Sequence, residues 1–289
     1  MRVLTGTAPL DTLTRGGIPL GKRVVVGGAP GAGKTTLVVQ WARELAEQGV
    51  HVCILATDEG ADAIAIRLGQ HTGLNRTLLE HGDPSTLARV SIPASLSLVE
   101  DLSIEAAART LPTSGKRALI VDSLQTARSD ACTGKGVRAQ IEANVRALKS
   151  LARQGVLVIA TSELRRQGYQ GRKAPTQGDY KGSGGIEYDV DLGLALVTPD
   201  KGATVQVSVV KSRVGNAGPT DWTMRADRAR AASWLASGAS FVSGHTASRA
   251  RPDCHPRPRT SRPRPLDPGF GRLALAPLGF GHAGLSARF

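Results

Sequence analysis

Up to about residue 235, apolar residues along the chain fall into two alternating patterns. Short unbroken runs occupy Arg23–Val26, His51–Ala56, Val90–Ile92, Ala118–Val121 and Val156–Thr161. Runs of this length, rich in Val and Ile, predict strands buried on both faces. Between most of them, apolar residues recur three and four apart. Leu37, Val38, Trp41, Ala42 and Leu45 do so ahead of Gly49, as do Ile141, Val145, Leu148 and Ala152 ahead of Gly155. That spacing lines one face of a helix, and the glycine ends it. Strands alternating with helices predict an α/β fold whose central, mostly parallel sheet is flanked by helices on both faces. Leu192–Val197, Thr204–Val210 and Asp221–Met224 then follow without an intervening helical pattern, which predicts a C-terminal β-meander.

Composition changes sharply beyond this region. Arg251-Pro252, Pro256-Arg257-Pro258-Arg259 and Arg262-Pro263-Arg264-Pro265 belong to a tail that holds eight Arg and two Asp, or +6 of the formal +13. Such a segment buries too little apolar surface to offset its ordering entropy. Residues 1–234 are therefore expected to form the folded domain, and residues 235–289 a disordered basic tail. The tail reads as a phosphate-gripping arm or, more simply, as a solvated segment with no specific role. The overall positive charge favours a polyanionic partner. Cys53, Cys132 and Cys254 form no C-x-x-C pair, which argues against a zinc ribbon and for a reducing cytosol. No run approaches the ~20 apolar residues of a spanning helix. Asp11, Arg15 and Lys22 interrupt the N-terminus, so no secretion signal is expected. A cytoplasmic protein with no membrane partner follows.

The sharpest chemical signal is Gly28-Ala29-Pro30-Gly31-Ala32-Gly33-Lys34-Thr35, a complete G-x-x-x-x-G-K-[ST] phosphate loop between a strand and a helix. Gly28, Gly31 and Gly33 allow a tight turn whose amides point at phosphate oxygens. Lys34 adds a positive charge at the β- and γ-phosphates of ATP, and Thr35 offers a hydroxyl to Mg²⁺. Thr36 and Gln125 complete the expected nucleotide contacts. The strand Ala118–Val121 ends in Asp122, which a parallel sheet places at its carboxyl edge beside the loop, as the second Mg²⁺ residue. His51–Ala56 ends in Thr57-Asp58-Glu59-Gly60, where a carboxylate can take a proton from the attacking water. Glu59 has the longer reach and is the preferred base, with Asp58 as the alternative. Either acid also suits the N-terminus of the next helix.

Several further stretches resemble the C-terminal ATPase region of DnaB-type replicative helicases. Asp122-Ser123-Leu124-Gln125 is similar to their Asp-x-Leu-Gln, and Ser162-Glu163-Leu164-Arg165-Arg166 to their Ser-Gln-Leu-x-Arg. Gly182-Ser183-Gly184-Gly185-Ile186-Glu187-Tyr188-Asp189-Val190-Asp191 resembles their Glu-Ser-Gly-x-Ile-Glu-Gln-Asp-Ala-Asp. Lys211-Ser212-Arg213-Val214-Gly215 resembles their Lys-x-Arg-x-Gly, and Leu10-Asp11-Thr12-Leu13 with Gly16-Gly17-Ile18-Pro19 resembles a RecA-type opening segment. The resemblance spans about residues 5 to 225 and implies a RecA-like P-loop NTPase fold. It implies a homo-oligomeric ring, commonly of six subunits, with ATP between neighbours and Lys211 and Arg213 reaching the adjacent γ-phosphate. It further implies that the segment from Arg165 to Lys181 faces single-stranded DNA. Arg165, Arg166, Arg172, Lys173 and Lys181 would track phosphates there, and Tyr169 and Tyr180 would stack on bases. Arg128–Arg138, with Lys135, is a second DNA candidate.

The chain departs from the pattern at Glu163, which replaces the γ-phosphate-sensing Gln with a carboxylate that phosphate would repel. With the first core strand near residue 22, no room is expected for the N-terminal domain of replicative helicases, and the cysteines of a RadA-type zinc ribbon are missing. The function expected is an ATP-hydrolysing motor on single-stranded DNA. The alternatives are a RadA-like recombination or repair ATPase, and an ATP-binding regulatory protein that does not unwind duplex.

Overall fold

Burial sorts the apolar runs into strands. The computed structural model describes residues 1–134, 136–164, 176, 180, 189–198, 204–215, 221–226 and, for backbone alone, 234–237. In chain order its elements begin with β1 (Arg2–Val3), α1 (Ala8–Leu13), β2 (Ile18–Pro19), β3 (Arg23–Gly28) and α2 (Lys34–Glu47). They continue with β4 (His51–Ala56), α3 (Ala61–His71), α4 (Arg76–Glu80), α5 (Pro84–Leu87), β5 (Leu96–Val99) and α6 (Ile104–Arg109). Next come β6 (Arg117–Asp122), α7 (Val137–Arg153), β7 (Leu157–Glu163), β8 (Leu192–Val197), β9 (Thr204–Ser212), β10 (Asp221–Ala226) and β11 (Trp234–Ser237).

Nine strands form one sheet in the order β11-β10-β9-β8-β3-β7-β6-β4-β5. From β8 to β5 every pair is parallel, whereas β8, β9, β10 and β11 meander antiparallel. The expected C-terminal meander is thus present, and β11 continues it past residue 234, where composition changes.

Alternate residues of each parallel strand face opposite cores, which is why their sequences are unbroken apolar runs. Val24, Val26, Val52, Ile54, Ile120 and Ile159 pack against α2, where Leu37, Val38, Trp41, Ala42 and Leu45 are fully buried. Val25, Cys53, Leu55, Leu119, Val121 and Val158 pack on the other side against Ile141, Val145, Leu148 and Ala152 of α7. Trp41 meets its polar need by donating to Thr7 Oγ1 at 2.9 Å. Among the described residues, no helix is long and apolar enough to cross a membrane.

One expected strand is misplaced. Val90–Ile92 is not a strand; the fifth parallel strand is Leu96–Val99, paired with β4 alone at the sheet edge. Pro93 follows Ile92 and has no N–H to give a ladder, and its carbonyl accepts instead from Leu96 N in a turn. Ile92 is left exposed. The true strand carries a polar Ser97 and covers one edge, so its apolar signal is weaker.

Candidate nucleotide-binding site

The carboxyl ends of β3, β4, β6 and β7 converge where the first strand turns into α2. Gly31 and Gly33 have φ of +75° and +83°, the left-handed region that only glycine enters freely. Gly28 serves differently from the turn role expected of it. It is the last residue of β3, and a Cβ there would stand 3.1 Å from both the Ala32 Cβ and the Leu196 carbonyl. Its bareness lets the returning loop close on the sheet.

The loop, β4 and β6 enclose a cavity of about 320 Å³, lined by Pro30, Gly31, Gly33, Lys34, Thr35 and Thr36 on one side. Ala29 and Ala32 form the loop without lining the cavity, and Ala32 is buried. The Lys34 ammonium donates to the Gly28 and Ala29 carbonyls at 3.2 and 3.0 Å. Burial lowers its proton affinity, and the carboxylates of Asp122, Glu163, Asp58 and Glu59 oppose that shift.

Thr35 and Asp122, far apart in sequence, meet here: the Thr35 hydroxyl donates to Asp122 Oδ2 at 2.8 Å. Thr161 Oγ1 donates to the other carboxylate oxygen. Asp122 is only 2% exposed, and burial raises its pKa against the pull of those two hydroxyls. One hydroxyl and one carboxylate, opening on a cavity framed by backbone amides, form an all-oxygen donor set. That set fits Mg²⁺, which binds through one or two protein oxygens plus phosphates and water.

Asp58 and Glu59 line the opposite wall. Glu59 is held by Arg67 of α3, whose Nε donates to Glu59 Oε2 at 3.0 Å and whose Nη2 makes a second, shorter bond to the same oxygen. Arg67 Nη1 also lies 3.5 Å from Thr36 Oγ1. Sequence reading missed Arg67. Its signal was a cation two helical turns after Glu59, a spacing shared by many solvated pairs. Glu163 lines the same cavity, so its carboxylate does face the phosphate site. Gln125 stands behind it: its amide donates to Ser162 Oγ at 2.8 Å and its carbonyl accepts from Glu163 N at 3.4 Å. Asn144 of α7, fully buried, secures the following turn by donating to the Leu124 and Ala127 carbonyls at 3.0 and 2.8 Å.

Lys211 and Arg213 lie at the other rim. Strand β9 runs antiparallel to β8, with Ser212 opposite Leu192, and Leu192 is level with Val24 at the start of β3. The phosphate loop begins at Gly28, roughly 13 Å further along the strand at 3.3 Å per residue. Neither cation reaches the phosphate loop of its own chain. Arg213 N donates to the Asp191 carbonyl at 2.7 Å. The Asp191 carboxylate pairs with Arg23 at 3.1 Å, and Asp189 pairs with Lys149 at 2.6 Å. Burial, then the like charge of Arg213, lowers the Lys211 pKa.

Arg165, Arg166, Arg172, Lys173 and Lys181, with Tyr169 and Lys135, lie outside the described residues. Arg138 belongs to the first turn of α7 and pairs with Glu142 at 3.0 Å. Tyr180 corrects the expected base-stacking role: it is fully buried, and its hydroxyl donates to the Leu194 carbonyl at 3.0 Å. The apolar slot between two sheet glycines takes the ring out of solvent.

The model of the DnaB-like helicase C-terminal domain matches residues 3–231. The chain belongs to that family. Relatives agree: it is 28% identical over 249 residues to the replicative DNA helicase DnaB of Treponema pallidum, covering 79% of this chain and 55% of that protein. It is 27% identical over 169 residues to the DNA repair protein RadA of Brucella abortus, covering 58% and 33%. The chain thus spans about a third of that RadA. The solved structure of a DnaB-like replicative helicase superposes with a TM-score of 0.68 at 23% identity, covering 81% of this chain and 61% of that one. The DnaB-like domain therefore has a RecA-like P-loop ATPase fold, and its matched span takes in the phosphate loop, Asp122 and the Lys211–Arg213 strand end.

Proposed function

We propose that this DnaB-like domain hydrolyses ATP with Mg²⁺, in a cytoplasmic homo-oligomeric ring of six subunits, to drive movement on single-stranded DNA. The observation that carries the reading is the meeting of Lys34, Thr35 and Asp122 in one cavity at the sheet edge. Bound there, Mg²⁺ neutralises charge on the phosphates. The loop amides and Lys34 hold the phosphates, while Thr35 and Asp122 present their oxygens to the cation. Glu59 takes the proton of the attacking water, with Asp58 in reserve, and Arg67 fixes where the Glu59 carboxylate points. Lys211 and Arg213, unable to serve their own chain, reach the γ-phosphate of the neighbouring subunit and stabilise charge that develops in the transition state. The cations between Arg165 and Lys181 hold the DNA backbone.

Arg67→Ala frees the Glu59 carboxylate to sample several orientations. We expect turnover to fall about tenfold with ATP binding nearly unchanged, a split that steady-state kinetics beside nucleotide titration reads directly. Equal losses in both would place Arg67 in binding instead. Single-stranded DNA is expected to raise turnover, and its affinity to fall about 10²-fold between 50 and 200 mM salt, as five phosphate contacts on a single strand require. A salt-independent interaction contradicts the DNA reading.

The RadA relatives favour a second reading, in recombination or repair. Glu163, facing the phosphate cavity, favours a third, a regulatory ATP-binding protein. Strand displacement on a forked duplex separates the first reading from the third: the motor separates strands, and the regulatory protein does not.

A further inference from the structure

Strand β9 changes face just before it delivers Lys211 and Arg213. Val205, Val207 and Val209 point into the core on the α2 side of the sheet. On strict alternation Lys211 would follow them into that apolar interior. A β-bulge prevents this: Val209 stands opposite Leu194 and Lys211 opposite Gly193, so Val210 is an extra residue. Val210 packs against the core on the α7 side, and a Cβ at Gly193 would stand 3.5 Å from the Lys211 Cβ on that same side. Val214 is buried again on the α2 side, and Gly215 is pressed onto α1, where a Cβ would stand 2.1 Å from the Leu13 carbonyl oxygen. The stretch that carries the two cations is thus fixed at both ends.

Asp191 holds its middle. The Asp191 carbonyl accepts from Arg213 N at 2.7 Å, and Asp191 N donates to the Arg23 carbonyl at 2.9 Å. The buried Asp191 carboxylate accepts from Arg23 N and Arg23 Nε on one oxygen, each at 3.1 Å, and Lys22 Nζ lies 3.7 Å from the other. Arg213 and Arg23 repel the Lys211 charge, and Asp191 opposes them ahead of Asp189. One carboxylate therefore joins the starts of β3 and β8 and offsets the repulsion among the cations beside it. Without it, Arg23 is left half-buried and short of its partner, next to two like charges.

We propose that Asp191 is a positioning residue that holds Lys211 and Arg213 in the geometry in which they meet the γ-phosphate of the neighbouring subunit. The proposal rests on the reading that these two cations act across subunits.

The test measures ATP turnover and ATP affinity of the full chain carrying Asp191→Asn, alone and in equal mixtures with Lys34→Ala or with Arg213→Ala. Asparagine keeps the size of the side chain and removes its charge. Alone, the variant should lose about tenfold in turnover with ATP affinity within about twofold, because its own phosphate loop is untouched. Mixed with Lys34→Ala, activity per total protein should rise about twofold or more, since the variant supplies an intact loop and its neighbour supplies well-held cations. Mixed with Arg213→Ala, activity should fall, since neither subunit delivers the cations correctly. A rise with Arg213→Ala instead marks a defect in the variant's own nucleotide site and overturns the proposal. A fall in both mixtures, which marks a general loss of structure, overturns it too, as does turnover of Asp191→Asn within about twofold of the unaltered protein. Arg23→Lys keeps the charge and loses the Nε bond to Asp191. Its mixture with Lys34→Ala should be more active than its mixture with Arg213→Ala, and this order decides the matter if circular dichroism shows that Asp191→Asn does not fold. If Lys34→Ala and Arg213→Ala fail to restore each other, the reading across subunits falls, and the proposal with it.

Discussion

Lys34→Ala is expected to reduce ATP turnover by about 10²–10³-fold or more, to background, because it removes a preorganised charge from the phosphates. The geometry makes this loss larger than that of one hydrogen bond. Asp122, Glu163, Asp58 and Glu59 all act on Lys34, which is the cation set among them by the phosphate loop. Without it, a triphosphate entering the cavity meets carboxylates on several sides, and nucleotide affinity falls along with turnover. The folded core should tolerate the change, since among the described residues Lys34 bonds to the carbonyls of Gly28 and Ala29 and to no core side chain. A malachite-green assay of phosphate release, beside titration with a fluorescent ATP analogue, reads both effects. A variant that hydrolyses ATP at the normal rate would remove the phosphate loop from the account.

Arg213→Ala is expected to cost turnover about 10³-fold, the scale of a guanidinium that stabilises transferring phosphoryl charge. ATP binding should change little, because the register places Arg213 at the far rim of its own sheet. The discriminating form of the experiment mixes two dead proteins. In the proposed ring, a mixture of Lys34→Ala and Arg213→Ala subunits is expected to pair an intact phosphate loop with an intact Arg213 at some interfaces, so that activity returns in part. If every mixture stays inactive, Arg213 does not act across subunits.

Much of this site was legible in the sequence because the residues concerned are set by local rules. The phosphate loop is contiguous, and Gly31 and Gly33 adopt the positive φ that its pattern demands. Asp122 lies at the carboxyl edge because an apolar strand in a parallel sheet delivers its last residue there, where the Thr35 hydroxyl meets it. Periodicity likewise located α2 and α7, whose apolar stripes are the faces that are buried.

What escaped depends on contacts between distant residues. Arg67 reads as one more cation on an amphipathic helix until α3 swings it back onto Glu59. Asn144 occupies a polar position amid the apolar stripe of α7, and only the fold reveals that it braces the turn after Asp122. Tyr180 was misread because its neighbours in sequence are polar and cationic; the slot that takes it is made by Gly27 and Gly193 on two other strands. Strand β5 was displaced because an edge strand with one polar position carries less apolar signal than the Val90–Ile92 run before Pro93.

ATP turnover by the purified chain, measured with Mg²⁺ and with EDTA, each with and without single-stranded DNA, tests the central claim most directly. The account predicts hydrolysis that needs Mg²⁺ and rises when DNA is added. Hydrolysis that persists in EDTA, or that is absent in every condition, would contradict it.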